Sequence, residues 1–285
     1  MGKTWEIDFY SRPIVDDKGK KIWEILVCES PNNIQSSENL FQYAQYCSST
    51  EVNSVTLKTA LEKAIAQAGD SPQKIRFFRR QMNNMITKAC QDLGIPATPS
   101  RRTFVLEKWI EERMINVYPE MPNYQPVNKP GIITYDPATP KTLPDALIGK
   151  KWAFVSLEKS AFDDFSEWPI DFGEVFPLNM TEINDNTIIP GLIIFSERAL
   201  PMAGWMSGIE PVFISLEQTT PPRLLLDTGS NDSWILIKGL DQKTQKEALD
   251  FETAKKNAQG LHFLAIQSNP DVESFAGFWL LLEQD

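Results

Sequence analysis

Histidine and cysteine are scarce in this 285-residue chain, and their scarcity removes whole classes of chemistry. The single histidine, His262, cannot form a two-histidine metal site or support two-histidine phosphodiester chemistry. The three cysteines, Cys28, Cys47 and Cys90, are odd in number and never spaced as Cys-x-x-Cys, which argues against a disulfide framework and a thiolate zinc site. They read as small buried hydrophobes. No Gly-x-Gly-x-x-Gly and no Gly-x-x-x-x-Gly-Lys-Ser/Thr phosphate loop occurs, so nucleotide-driven chemistry has no support and no cofactor is expected. No apolar run approaches the roughly 18 residues of a membrane helix, and the start, Met1-Gly-Lys-Thr-Trp-Glu-Ile-Asp8, lacks the apolar core of a signal peptide. A cytoplasmic protein that does not span a membrane is expected. The opening residues also lack the Arg- and Ser-rich composition of an organelle transit peptide, which suggests a prokaryotic chain or a mature form.

What is present is enough apolar material, 42% of residues, to build two cores. Charge is unevenly spread. The net −10 divides into +1 over residues 1–128 and −11 over residues 129–285. Within the first half, residues 74–102 hold Lys74, Arg76, Arg79, Arg80, Lys88, Arg101 and Arg102 against one acid, Asp92. An acidic protein thus carries one concentrated basic segment.

Seven of the twenty prolines (119, 122, 126, 130, 137, 140 and 144) fall between residues 119 and 144, where fixed φ and missing donors discourage regular structure. This predicts an N-terminal domain over 1–118, a stiff Pro-rich linker over 119–146 and an acidic C-terminal domain over 147–285. In the first, strands are expected over 5–10 and 21–27 about a turn at Asp17-Lys18-Gly19, and a third over 40–47. Leu57, Ala60, Leu61, Ala64, Ile65 and Ala68 then repeat at helical spacing before Gly69. A short strand over 74–78, a helix from Met82 to Leu93 and a helix over 103–117 follow, with room for one more short strand before the last. The order β-β-β-α-β-α resembles the ribonuclease-H-like fold. In that fold catalysis needs several carboxylates converging on metal, and although Asp8 lies on the first strand, the fourth ends in Arg79-Arg80-Gln81 with no acid. Strands at 152–157, 191–195, 211–216, 223–226 and 234–238, a helix over 242–259 and an apolar strand over 261–267 make the second domain a mixed sheet with helices. The apolar segment 275–282 fits either state. The class is α/β, in the mixed α+β sense.

Asp227-Thr-Gly229 looks like the aspartyl-peptidase motif, but a pepsin-like chain needs a second such triplet and none occurs. Its bland reading is a turn between strands, with Gly229 at positive φ. The basic segment reads either as a solvated face or as a phosphate-binding one. Arg outnumbers Lys five to two there, and cations alternate with Phe77 and Phe78, as on single-strand-binding surfaces. Phe77, if exposed, could stack a base. The segment from Ala199 through Met202 and Trp205 to Pro211 reads as a partly exposed apolar loop able to stack a base or dock a partner, or to fill a core. Glu252 with Lys255 is an ordinary helix-surface pair, and His262 a satisfied core residue.

Several long segments together resemble one family: Trp5-Glu-Ile-Asp-Phe-Tyr-Ser-Arg12-Pro13 with Gly19-Lys-Lys-Ile-Trp-Glu24; Leu143-Pro-Asp-Ala-Leu-Ile-Gly149; Met202-Ala-Gly-Trp205-Met-Ser-Gly-Ile-Glu-Pro211; and Asn257-Ala-Gln-Gly-Leu-His-Phe263-Leu-Ala-Ile-Gln267. They look like the Tab-type RNA-binding proteins of cyanobacteria and chloroplasts. The resemblance implies a non-catalytic protein that binds the AU-rich leader of a photosystem I reaction-centre message and promotes its translation. It offers no catalytic residues to carry over. From the residues, the expected RNA contacts are Arg12, Lys20, Arg76, Arg79, Arg80, Arg101 and Arg102, while the acidic second domain recruits translation or assembly proteins. Two other readings stay open: a photosystem assembly scaffold without RNA, and an aspartyl peptidase centred on Asp227.

Overall fold

The computed structural model describes residues 3–31, 40–126, 139–149 and 151–283. It divides the chain into two compact units, Met1–Pro31 with Glu38–Asp136, and Asn32–Ser37 with Pro137–Asp285. Both are mixed α and β. Of the proline-rich stretch, residues 119–126 are built into the first unit, where Tyr124 bridges Ile14, and residues 139–146 into the second. Pro130 and Pro137 lie outside the described residues.

In the first unit, β1 (Thr4–Val15), β2 (Lys21–Glu29) and β3 (Gln42–Cys47) pair antiparallel, and α1 (Ser54–Ala68) leads to β4 (Lys74–Phe77). Then come α2 (Asn83–Gln91), a short β5 (Ala97–Pro99) and α3 (Phe104–Asn116). The sheet order is β3-β2-β1-β4-β5, with β4 parallel to β1 and β5 parallel to β4. This is compatible with the ribonuclease-H-like order. Helix α1 begins where the Asn53 side chain accepts the Val55 and Thr56 amides, and ends at Gly69, whose φ of 75° is the left-handed conformation glycine adopts without strain. Odd-numbered Trp5, Ile7 and Phe9 of β1 pack with Leu57, Leu61 and Ala64 of α1 and Ile86 of α2. The even-numbered Glu6, Asp8 and Arg12 are also buried, because α3 contacts β1 and β2. The sheet therefore has one apolar and one ionic interior face.

The second unit holds two sheets. β6 (Lys141–Thr142), β7 (Lys151–Glu158), β8 (Ile170–Glu174) and β9 (Ile188–Phe195) precede α4 (Ala199–Ile209). β10 (Pro211–Glu217), β11 (Arg223–Thr228), β12 (Ser233–Lys238), α5 (Gln242–Asn257), β13 (Leu261–Gln267) and β14 (Phe275–Leu282) follow. The orders are β10-β11-β12-β6 and β7-β9-β13-β14-β8. One core joins both sheets to α4 and α5, with Ile214, Leu224 and Leu226 meeting Leu192, Leu264, Met202 and Phe251. The open question over 275–282 resolves as a strand, pairing antiparallel with β13 and parallel with β8. Residues 199–209, expected as a loop, are a helix. Pro201 sits in its first turn, where a missing N–H costs nothing.

Polar side chains clamp one edge of this core. Ile214 of β10 donates its N–H to Nε2 of buried His262 at 2.8 Å, and its carbonyl accepts from Nζ of buried Lys255 at 2.7 Å. Because Nε2 accepts, Nδ1 of His262 carries the proton and donates to the Gly260 carbonyl at 2.8 Å. Lys255 is also paired with Glu252 at 2.9 Å and Glu283 at 2.5 Å. The Glu252 and Lys255 pair is thus part of the fold, and His262 is a satisfied core residue.

Candidate nucleic-acid interface

The parallel run of β1, β4 and β5 sets residues that follow β4 and β5 beside one another, at the carboxyl edge of the sheet. Open α/β sheets bind ligands outside such edges. Arg79 and Arg80 follow β4, and Arg101 and Arg102 follow β5. Local sequence dictates this: a four-residue strand and a three-residue strand each end at once in a basic pair.

Asp8 anchors the site. Nε of Arg79 donates to its Oδ1 at 2.7 Å, and Nη1 of Arg12 lies 3.0 Å from Oδ2. Two guanidinium groups thus meet one buried carboxylate. Among the described residues no group of three or more His, Cys, Asp or Glu is arranged to hold a metal ion. Arg12 also donates to Glu24 of β2 at 2.8 Å, and Glu24 further accepts from Tyr118 Oη at 2.5 Å and from Arg113 of α3. Burial works against the Arg12 charge, but Asp8, Tyr118 and Glu24 outweigh it and hold its pKa above the usual arginine range.

Beside this network, burial raises the Glu6 carboxyl to about 7, although Ser30 donates to it at 2.6 Å, the Leu106 amide at 2.8 Å, and Arg76 lies opposite it across β4. Burial likewise raises Glu107 to about 7, against the pull of the Thr103 hydroxyl bond, Arg101 and Arg79. This polar face is an interior held by matched charges.

The expected contact residues therefore separate into two groups. Arg12, Arg76 and Arg102 are 3%, 2% and 3% exposed, which corrects their expected place on a surface: all three are buried. Phe77 is fully buried among Trp5, Ile7 and Ile86, so it cannot stack a base. Lys20, in the β1–β2 turn, and Arg80 are exposed, and Arg79 and Arg101 are partly so. Trp205 is half-buried on α4, edge-on to Trp234 with centroids 5.0 Å apart, and packs against the second unit's core. The residue missed in the sequence is Tyr10, whose ring lies 3.8 Å from the Arg79 guanidinium carbon. The only signal for it was register, since β1 runs beside β4 and brings Tyr10 toward whatever follows Phe77.

The Asp227-Thr-Gly segment forms the end of the β11–β12 hairpin. Asp227 pairs in register with Phe213 and Ser233, and Thr228 closes the turn through its amide and hydroxyl to the Asp232 carbonyl, each at 3.0 Å. The positive φ falls on Asn231, at 64°, and not on Gly229 as expected. Asparagine tolerates that conformation, and Gly229 instead donates its amide to the Glu210 carbonyl.

Comparison with known proteins places both units. Residues 4–113 match the family model described as RNA-binding protein Tab2/Atab2 N terminal, and residues 130–282 match RNA-binding protein Tab2/Atab2, C-terminal domain. The chain is 40% identical over 289 residues to "Protein TAB2 homolog, chloroplastic" of Arabidopsis thaliana, covering 99% of this chain and 75% of that protein. It is 40% identical over 290 residues to the protein of the same description from Zea mays, covering 99% and 72%. With both family models matched in order and the relatives aligned over nearly its full length, the chain belongs to the Tab2/Atab2 family of RNA-binding proteins.

Proposed function

We propose that this protein is a non-catalytic binder of AU-rich single-stranded RNA, which grips the leader of a photosystem message and promotes its translation. The observation that carries the reading is the cluster at the carboxyl edge of the first sheet, where Arg79, Arg80 and Arg101 retain exposed surface and Arg79 lies over Tyr10. Phosphate contacts from such cations supply most of the affinity for single strands, and Arg suits the task because its planar fork meets both phosphate and base. Lys20 extends the basic surface along the β1–β2 turn. In this reading the first unit binds the RNA and the acidic second unit contacts translation or assembly proteins. The message and the role in translation are what the resemblance of the segments quoted above implies.

The test is affinity for an AU-rich single-stranded RNA against salt, for wild type and a Lys20→Glu/Arg80→Glu variant. Both positions are exposed, so the buried ion network stays intact. Wild-type affinity should fall steeply with salt, and the variant should bind at least about tenfold more weakly with a salt slope shallower by about 1. Equal binding by the two proteins removes this edge from the site. Absence of RNA binding by wild type leaves the assembly-scaffold reading in its place.

A further inference from the structure

The orientation of Arg79 at this edge is fixed. Its Nε is bonded to Asp8 at 2.7 Å, and Asp8 is itself held by Arg12. The guanidinium carbon sits 3.8 Å from the centroid of the Tyr10 ring and 4.8 Å from that of Phe78. The side chain still exposes 18% of its surface, and Tyr10 is partly exposed as well. This is a poor design for a phosphate clamp. Asp8 already occupies the Nε edge of the fork and offsets much of the charge, whereas a phosphate site gains from an open fork and a full charge. It is a better design for stacking: a flat delocalised group, held at Nε and lying over an aromatic ring, with little rotamer freedom left to lose. Arg80, the next residue, is exposed.

We propose that Arg79 and Tyr10 together form a stacking site for one unpaired nucleobase, with Arg80 holding a neighbouring phosphate. The proposal rests on the RNA-binding reading above and adds to it what the site contacts. Stacking of a base on such a plane tolerates different bases, so the site selects unpaired nucleotides over duplex and leaves sequence preference to other contacts. Asp8 becomes a positioning residue that acts through Arg79.

The experiment uses the full chain and an AU-rich single-stranded RNA carrying one 2-aminopurine, moved through the sequence, alongside RNAs with an abasic site at the same positions. Arg79→Lys keeps the charge and the pairing to Asp8 but loses the plane. Wild type should quench 2-aminopurine at one position, and the abasic RNA at that position should bind about tenfold more weakly. Arg79→Lys should lose both the quench and about the same affinity, with an unchanged salt slope, and should bind the abasic and intact RNAs alike. Tyr10→Leu should give the same pattern, and the abasic comparison on wild type needs no variant to fold. RNA binding by wild type without any quench or abasic penalty would overturn the stacking site alone. No binding of RNA at all would overturn the RNA-binding reading with it.

Discussion

At Asp8 two guanidinium groups converge on one buried carboxylate, and the residues of that network carry charge in the service of the fold. Removing one partner leaves the others charged in a medium that solvates them poorly. Arg12→Ala should cost about 3–5 kcal/mol of stability, read as a lower denaturant midpoint, while exposed Arg80→Ala should change stability by no more than about 0.5 kcal/mol. Equal effects would mean that the network contributes nothing. Glu6 adds a pH signature. With its carboxyl raised from 4.5 to about 7 by burial, the folded protein keeps a proton that the unfolded chain has lost between those values. Stability should therefore fall as pH rises from about 4.5 to about 7 and level off above, by as much as about 3 kcal/mol from this group. Glu6→Gln should flatten that slope in denaturation curves across the same window, and an unchanged slope would place its origin elsewhere.

Among elements, the clamp on Ile214 shows side chains completing a strand's hydrogen bonding. His262→Phe keeps an aromatic ring but leaves the Ile214 amide without its acceptor, at a cost of about 1–3 kcal/mol. Burial holds the His262 ring down to about 3, so the unfolded chain takes up its proton first on acidification. Its contribution is present above about 6.5 and is lost as pH falls toward 3, opposite in sign to Glu6. Much of the element order was legible from local signals: α1 from the apolar stripe that begins at Leu57 and stops at Gly69, β1 and β2 from the turn at Asp17-Lys18-Gly19 between them. Helix α4 was not, because Pro201, Gly204 and Gly208 read as breakers. In the fold the proline lies in the first turn, and small residues on the packed side let the helix approach β14. A Cβ at Gly277 would lie 2.4 Å from the Trp279 ring and 2.9 Å from Ala203 Cβ. Strand β8 is five residues long and too short to show a pattern. At the site, the basic run was visible in sequence but its burial was not. Arg76 alternates with Ile75 and Phe77 as an exposed residue would, and α3, far along the chain, packs on the sheet's polar face against β1 and β2.

Across the whole molecule, charge is divided so that residues 1–128 are near neutral and residues 129–285 carry −11. The acidic second part disfavours a polyanion, and in the proposed function it would find its cations in the first, around the sheet edge where Arg79, Arg80 and Arg101 emerge. No helix among the described residues is long and apolar enough to cross a membrane. The central claim is that this edge of the first unit is where RNA binds, and ultraviolet crosslinking of an AU-rich single-stranded RNA to the intact chain, with the attached peptides mapped by mass spectrometry, tests it most directly. The account predicts crosslinks at Tyr10, at residues 78–80 and at residues 100–102. Crosslinks confined to residues 139–283 would contradict it.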